Sequence, residues 1–158
     1  MRVPRSSSAR LARLPSGDDR QLDLTHALES AVLRRVNEEA ERADRRAAED
    51  LWDQGRLLLE LVELRSDGDV DAVCAQFVEG AEAAHERMHI ARATSRILAG
   101  VYGAARLQLG LRLLELLGLK RLDQLETVDL PVADADGRPV RFPATREQLA
   151  VAVALLEG

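Results

Sequence analysis

Between Leu28 and Leu51 apolar residues return every three or four positions, and this row constrains the chain more than any other feature. Leu28, Val32, Val36, Ala40, Ala43, Ala47 and Leu51 step by four, four, four, three, four and four residues. That is helical spacing. The mean step is about 3.8 residues, longer than the ~3.5 that would impose a left-handed supercoil. Thr25 reads as the N-cap of this helix, with Glu29 in its second turn. Around the row, "NEEAERADRRAAED" is charged, and Glu38–Arg42 and Glu41–Arg45 stand at i,i+4. The expectation is a long solvated helix over 22–65 with a narrow alanine seam. Alanine lets another helix come close. Val36, Ala40, Ala43, Ala47 and Leu51 are therefore the expected interface with a second copy. The apolar pattern continues through Leu58, Leu59, Val62 and Leu64. Gly55 weakens it by about 1 kcal/mol relative to Ala and marks an expected bend.

Composition fits a helical body. Hydrophobic residues make up 46% of the 158, but aromatics only 3%, so the apolar part is Leu, Ala and Val. The single cysteine, Cys74, cannot form an internal disulfide, which fits a reducing cytoplasmic setting. No apolar run reaches the ~18 residues of a membrane span. Residues 1–21 carry a net charge of +3 and are Ser-rich, an expected disordered basic tail. Residues 22–85 carry -9, residues 86–121 carry +5, and residues 122–158 carry -4. Clustered charge of this kind matters more for partners than the total of -5.

"RSDGD" at 65–69 ends the long helix. Asp67, Asp69 and Asp71 alternate as in a calcium loop. The loop's sixth and twelfth positions should be Gly and Glu, and here they are Ala72 and Val78. Asp69 is instead expected to cap a short helix, "VDAVCAQFV", with Val70, Val73, Cys74 and Phe77 on one side. Gly80 ends that helix and the next begins near Glu82.

The next helix contains "HERMH", residues 85–89. His85 and His89 at i,i+4 face one side of a helix and are correctly spaced for Zn²⁺, with Glu86 as general base on the bound water. A catalytic zinc needs a third protein ligand. The extended motif would place Gly and His where the chain has Arg92 and Ser95. The only other histidine is His26, and Glu115 is the best-placed carboxylate by order. Arg87, Arg92 and Arg96 surround the site, and cations oppose metal binding. A small zinc metallohydrolase is thus the alternative, with no cofactor as the main expectation.

On a helical wheel Ala84, Met88, Ala91, Ser95 and Leu98 form the expected buried seam. His85, His89, Arg92 and Arg96 form the adjacent stripe, suited to phosphate or to an acidic partner surface. A short helix, a glycine turn and a longer helix with a basic face is the order of a helix-turn-helix. "GRLLLE" at 55–60, the turn at 77–80 and "ARATSRI" at 91–97 give residues 50–118 a resemblance to bacterial helix-turn-helix domains of unknown function. One position departs: six residues after the turn glycine an apolar residue is usual, and Glu86 stands there. The resemblance implies DNA binding by a dimer, the second helix entering the major groove. Arg87, Arg92 and Arg96 would contact phosphate, with His85 and His89 at the rim.

Towards the C-terminus, "AARLQLGLRLLELLGL" reads as a central helix stopped by Gly118. "VDLPV" and "RPVRF" flank Asp136-Gly137, an expected β-hairpin with short edge strands because of Pro131 and Pro139. Thr145 and Gln148 form a capping box for a last helix that buries Leu149, Val153 and Leu156. The expected chain is mainly α: a tail over 1–21, a long helix over 22–65, a helical body over 66–122, and a hairpin–helix unit over 123–158. The expected function is a non-enzymatic regulatory or scaffold protein, dimeric and DNA-binding. The alternative partner is another protein.

Overall fold

The computed structural model describes residues 17–158. Among them are seven helices: α1 (Gly17–Leu64), α2 (Val70–Ala75), α3 (Ala81–Ala93), α4 (Arg96–Tyr102), α5 (Ala104–Leu117), α6 (Leu122–Leu125) and α7 (Arg146–Glu157). The mainly helical expectation holds. No single helix among the described residues is long and apolar enough to cross a membrane. The described residues divide into two units, 17–39 and 40–158.

In the first unit, α1 begins at Gly17, so residues 17–21 of the expected tail are helical and the rest lies outside the described residues. Asp18 and Asp19 stand in the first turn, where the amide ends of the helix favour negative charge. Thr25 is therefore not an N-cap. It sits inside the helix, and its hydroxyl donates back to the Gln21 carbonyl at 2.9 Å. Leu28, Val32 and Val36 are exposed in this unit.

The second unit has two apolar clusters. The larger surrounds α5, whose Leu107, Leu111, Leu113 and Leu114 are buried with Leu122, Leu125, Leu130, Phe142 and Leu149. Full burial of such a side chain contributes about 1.5–3 kcal/mol. Gly110 permits this density: a methyl group there would meet Leu122 Cδ2 at 2.8 Å and the Phe142 ring at 3.0 Å. The smaller cluster joins Leu58 of α1, Val73 and Cys74 of α2, and Ala84 and Met88 of α3, with Leu59, Val62, Val70 and Phe77 partly buried against it. Burial pushes the Cys74 thiol pKa up and leaves no part of the side chain exposed to solvent.

Local signals are largely realised. Asp69 accepts from the Ala72 amide at 3.1 Å and caps α2. Thr145 and Gln148 exchange their capping hydrogen bonds at 3.1 and 3.2 Å, and α7 buries Leu149 and Val153 while Leu156 packs partly. Gly118 closes α5 in the left-handed conformation.

The expected β-hairpin does not form. Among the described residues there are no strands, only one antiparallel bridge between Ala133 and Pro139. Pro131 and Pro139 carry no N–H, so a continuous ladder lacks its donors. The turn itself is present, with the Gly137 amide donating to the Asp134 carbonyl at 3.0 Å. The Asp134 carboxylate also accepts from the amides of Asp136 and Arg138 at 2.9 Å. This irregular segment holds Leu130, Val140 and Phe142 against the larger cluster.

Tyr102 joins α4 to that segment. Its ring meets Phe142 edge-on with centroids 4.8 Å apart, and its hydroxyl donates to Glu126 Oε1 at 3.1 Å. Burial first, then Glu126, pushes the phenol pKa from 10 up to about 12. The folded chain thus favours the protonated phenol. This contribution is whole below pH 10 and is lost as pH rises through 10 towards about 12. Denaturant midpoints measured across that range are expected to fall, and Tyr102→Phe is expected to shrink the fall. An unchanged pH dependence in Tyr102→Phe refutes this assignment.

Candidate functional site

The α1–α2–α3 cluster holds α3 through Ala84 and Met88, while Ile90 and Ala93 at its other end belong to the larger cluster. The turn from α2 to α3 is tight: the Gln76, Phe77 and Gly80 amides donate to Val73, Cys74 and Phe77 carbonyls at 3.1, 3.1 and 3.0 Å. Gly55 is no bend. It lies buried within continuous α1, and the Arg87–Ala91 segment of α3 crosses directly over it.

The expected α3 seam is only partly right. Ala84 and Met88 are buried as expected, with Ile90 and Ala93, while Ala91 is half-buried. Ser95 and Leu98 do not belong to this helix. Thr94 turns extended, with φ -154° and ψ 173°, and ends α3. The Ser95 hydroxyl then accepts from the Leu98 amide at 3.2 Å and starts α4. The "TSR" capping signal was in the sequence, but the apolar periodicity ran across it. The His85–His89–Arg92–Arg96 stripe is cut for the same reason, because Arg96 sits on α4.

The three arginines have different environments. Arg87 is held in place: its guanidinium donates to Gln54 Oε1 at 3.2 Å and pairs with Glu86 at 3.5 Å and Glu79 at 3.6 Å. Its side chain is only 12% exposed. Arg96 makes two hydrogen bonds to Asp53, at 2.9 and 3.3 Å, and lies 3.5 Å from Glu49. Both arginines therefore tie α1 to the body. Arg92 is exposed at the end of α3. Nothing in the arginine spacing alone separated these roles; the α1 groups that engage them, Gln54 for Arg87 and Asp53 with Glu49 for Arg96, lie more than thirty residues away.

His85, Glu86 and His89 do share one place. With Glu82 they form the α3 wall of a cavity of about 360 Å³, and α5 forms the other wall with Gln108, Leu111, Arg112 and Glu115. Glu115 thus lies across from the histidines, where order along the chain put it. It is already engaged, since Arg112 pairs with Glu115 at 2.8 Å while also pairing with Glu157 at 2.6 Å. Glu86 faces Arg87 at 3.5 Å and accepts from Gln108 at 3.4 Å, and His85 lies 3.5 Å from Asp71. No group of three His, Cys, Asp or Glu side chains among the described residues is arranged to hold a metal ion. A zinc-activated water would lack its third protein ligand here.

The expected interface residues on α1 separate as well. Ala40, Ala43 and Ala47 are exposed, while Leu51 is half-buried and packs on the larger cluster with Trp52. The reason is drift. A step near 3.8 residues exceeds the helical 3.6, so over six steps the row winds about 140° around the helix. Trp52 was not singled out by the pattern, yet its indole N–H donates to the Thr94 carbonyl at 2.9 Å and anchors the end of α3.

No family model matches the chain, and neither does any curated protein or solved structure.

Proposed function

We propose that the chain is a non-enzymatic regulatory or scaffold protein that works as a dimer and docks on DNA through the α2–turn–α3 unit. The observation that carries this reading is the separate small core of Leu58, Val73, Cys74, Ala84 and Met88. It makes α1, α2 and α3 into a three-helix unit whose third helix follows a tight turn, the arrangement that places a reading helix in the major groove. Arg92, exposed at the end of α3, is the phosphate contact this geometry favours, with His85 and His89 beside it. Arg87 and Arg96 support the reading by holding the unit to α1, not by touching phosphate.

A second reading, a protein-interaction module without nucleic acid, has its own support. Glu82 and Glu86 stand on the same face of α3 as the histidines, and they repel a phosphate backbone. One titration separates the two. Fluorescence anisotropy with a mixed-sequence duplex is expected to show binding that weakens steeply between low and physiological salt. Arg92→Ala is expected to weaken it several-fold and to reduce the salt slope by about 1, with the melting temperature unchanged. Absence of binding at low salt overturns the DNA reading and leaves the protein-interaction one.

A further inference from the structure

The exposed side of α1 in the second unit carries a row that the winding Leu28–Leu51 series conceals. Ala40, Ala43 and Ala47 are exposed on it. Leu57, Leu61 and Leu64 lie on the same row, 64%, 44% and 83% exposed. Between the two triplets stand Asp50 and Gln54. From Ala40 to Leu64 the steps alternate three and four without exception, which is the spacing of a two-helix seam. The flank of the same helix about a quarter-turn round already buries Ala48, Gly55 and Leu58 against the body. The three leucines and three alanines of the row are exposed; Gln54, half-buried beneath Arg87, is the member of the row that the body engages, and Ala40 borders a cavity whose far wall is Ala105, Arg106, Thr145 and Arg146.

We infer that a second copy of this chain covers this face, its α1 running antiparallel and centred near residue 52. The argument is complementarity. In that register Ala40 meets Leu64 of the second copy, Ala43 meets Leu61, and Ala47 meets Leu57. Every apolar layer then pairs a small side chain with a large one, so the axes keep one spacing along the seam. A parallel pair sets Ala on Ala at one end and Leu on Leu at the other, which demand different spacings. The polar layer gives the same answer. Antiparallel pairing places Asp50 opposite Gln54, a carboxylate facing an amide. Gln54 Oε1 already accepts from Arg87, so its NH₂ is the group left to donate across the seam. A parallel pair instead sets Asp50 against Asp50. On one flank the antiparallel register also brings Arg46 towards Glu60. This inference deepens the dimer part of the proposed function and does not depend on DNA binding.

Cross-linking and sedimentation of the full chain test it, in a Cys74→Ser background. Sedimentation is expected to give a dimer at micromolar concentration. Leu57→Glu and, separately, the more exposed Leu64→Glu are expected to give monomers with unchanged helical circular dichroism. An equal mixture of Ala43→Cys and Leu61→Cys chains is expected to form the mixed disulfide. Ala43→Cys alone is expected to form none, because its two copies stand about 27 Å apart along the axis. A monomeric unsubstituted chain, or efficient cross-linking of Ala43→Cys to itself, overturns the inference. A dimer that fails to bind the duplex leaves it intact and removes only the DNA reading.

Discussion

Gly55→Ala is expected to destabilise the chain by about 2 kcal/mol or more, although Ala is the better helix former by about 1 kcal/mol. The sign follows from what lies against the glycine. A Cβ at residue 55 would lie far inside van der Waals contact distance of the Arg87 carbonyl oxygen and 3.1 Å from the Ala91 Cβ. The obstacle is backbone, so no rotamer change relieves it. Either α3 lifts from α1 or α1 bends. Lifting α3 opens the cluster of Leu58, Ala84 and Met88 and loosens the Arg87–Gln54 bond. Gly17→Ala is the control, since nothing lies within 4 Å of a Cβ there. Thermal unfolding is expected to fall by about 4–8 °C for Gly55→Ala and to be unchanged for Gly17→Ala. A Gly55→Ala chain as stable as the parent shows that the crossing at Arg87 is not as close as described. The same variant is expected to weaken duplex binding without touching a phosphate contact, because it displaces the whole of α3.

That crossing marks the limit of what the sequence discloses. Signals carried within a few residues were legible: the Asp69 cap, the Thr145–Gln148 box, the stop at Gly118, and the burial of Leu149 and Val153. Each is a local hydrogen bond or a local periodicity. Gly55 was readable only as a weak helix residue, since its meaning depends on Arg87 thirty-two positions away. The arginines failed for the same reason. In sequence all three arginines read as phosphate contacts, and Arg92 and Arg96 share one stripe; only the approach of Gln54, Asp53 and Glu49 ties Arg87 and Arg96 to α1. The hairpin was misjudged differently: a correct turn was extended into strands that prolines at 131 and 139 prevent. In HERMH the helical spacing of the histidines was right, and their facing Glu115 across a cavity was anticipated by order. The sequence did not disclose that Arg112 had already taken that carboxylate.

Gly103→Ala is expected to cost about 3 kcal/mol, the other large effect in this chain, and the cost has two separable parts. Gly103 joins α4 to α5 with φ 80° and ψ 161°, a conformation that residues with a Cβ almost never adopt, so strain alone costs about 1–3 kcal/mol. The second part involves Asp44 of α1. Its carboxylate lies against Gly103 and accepts from the Ala105 amide at 3.3 Å, so it caps α5 from another helix. A methyl at 103 lands on that carboxylate and displaces it, leaving the first amides of α5 without their acceptor. Loss of such a cap costs about 1 kcal/mol. The double-mutant cycle with Asp44→Ala isolates this term. In the Asp44→Ala background Gly103→Ala is expected to cost about 1 kcal/mol less than in the parent, because the cap is already gone. Additive losses would show that the carboxylate and the glycine act independently. The cycle also bears on why the loop needs glycine at all: without a side chain at 103, a charge on the long helix can reach the start of the helix at the centre of the core.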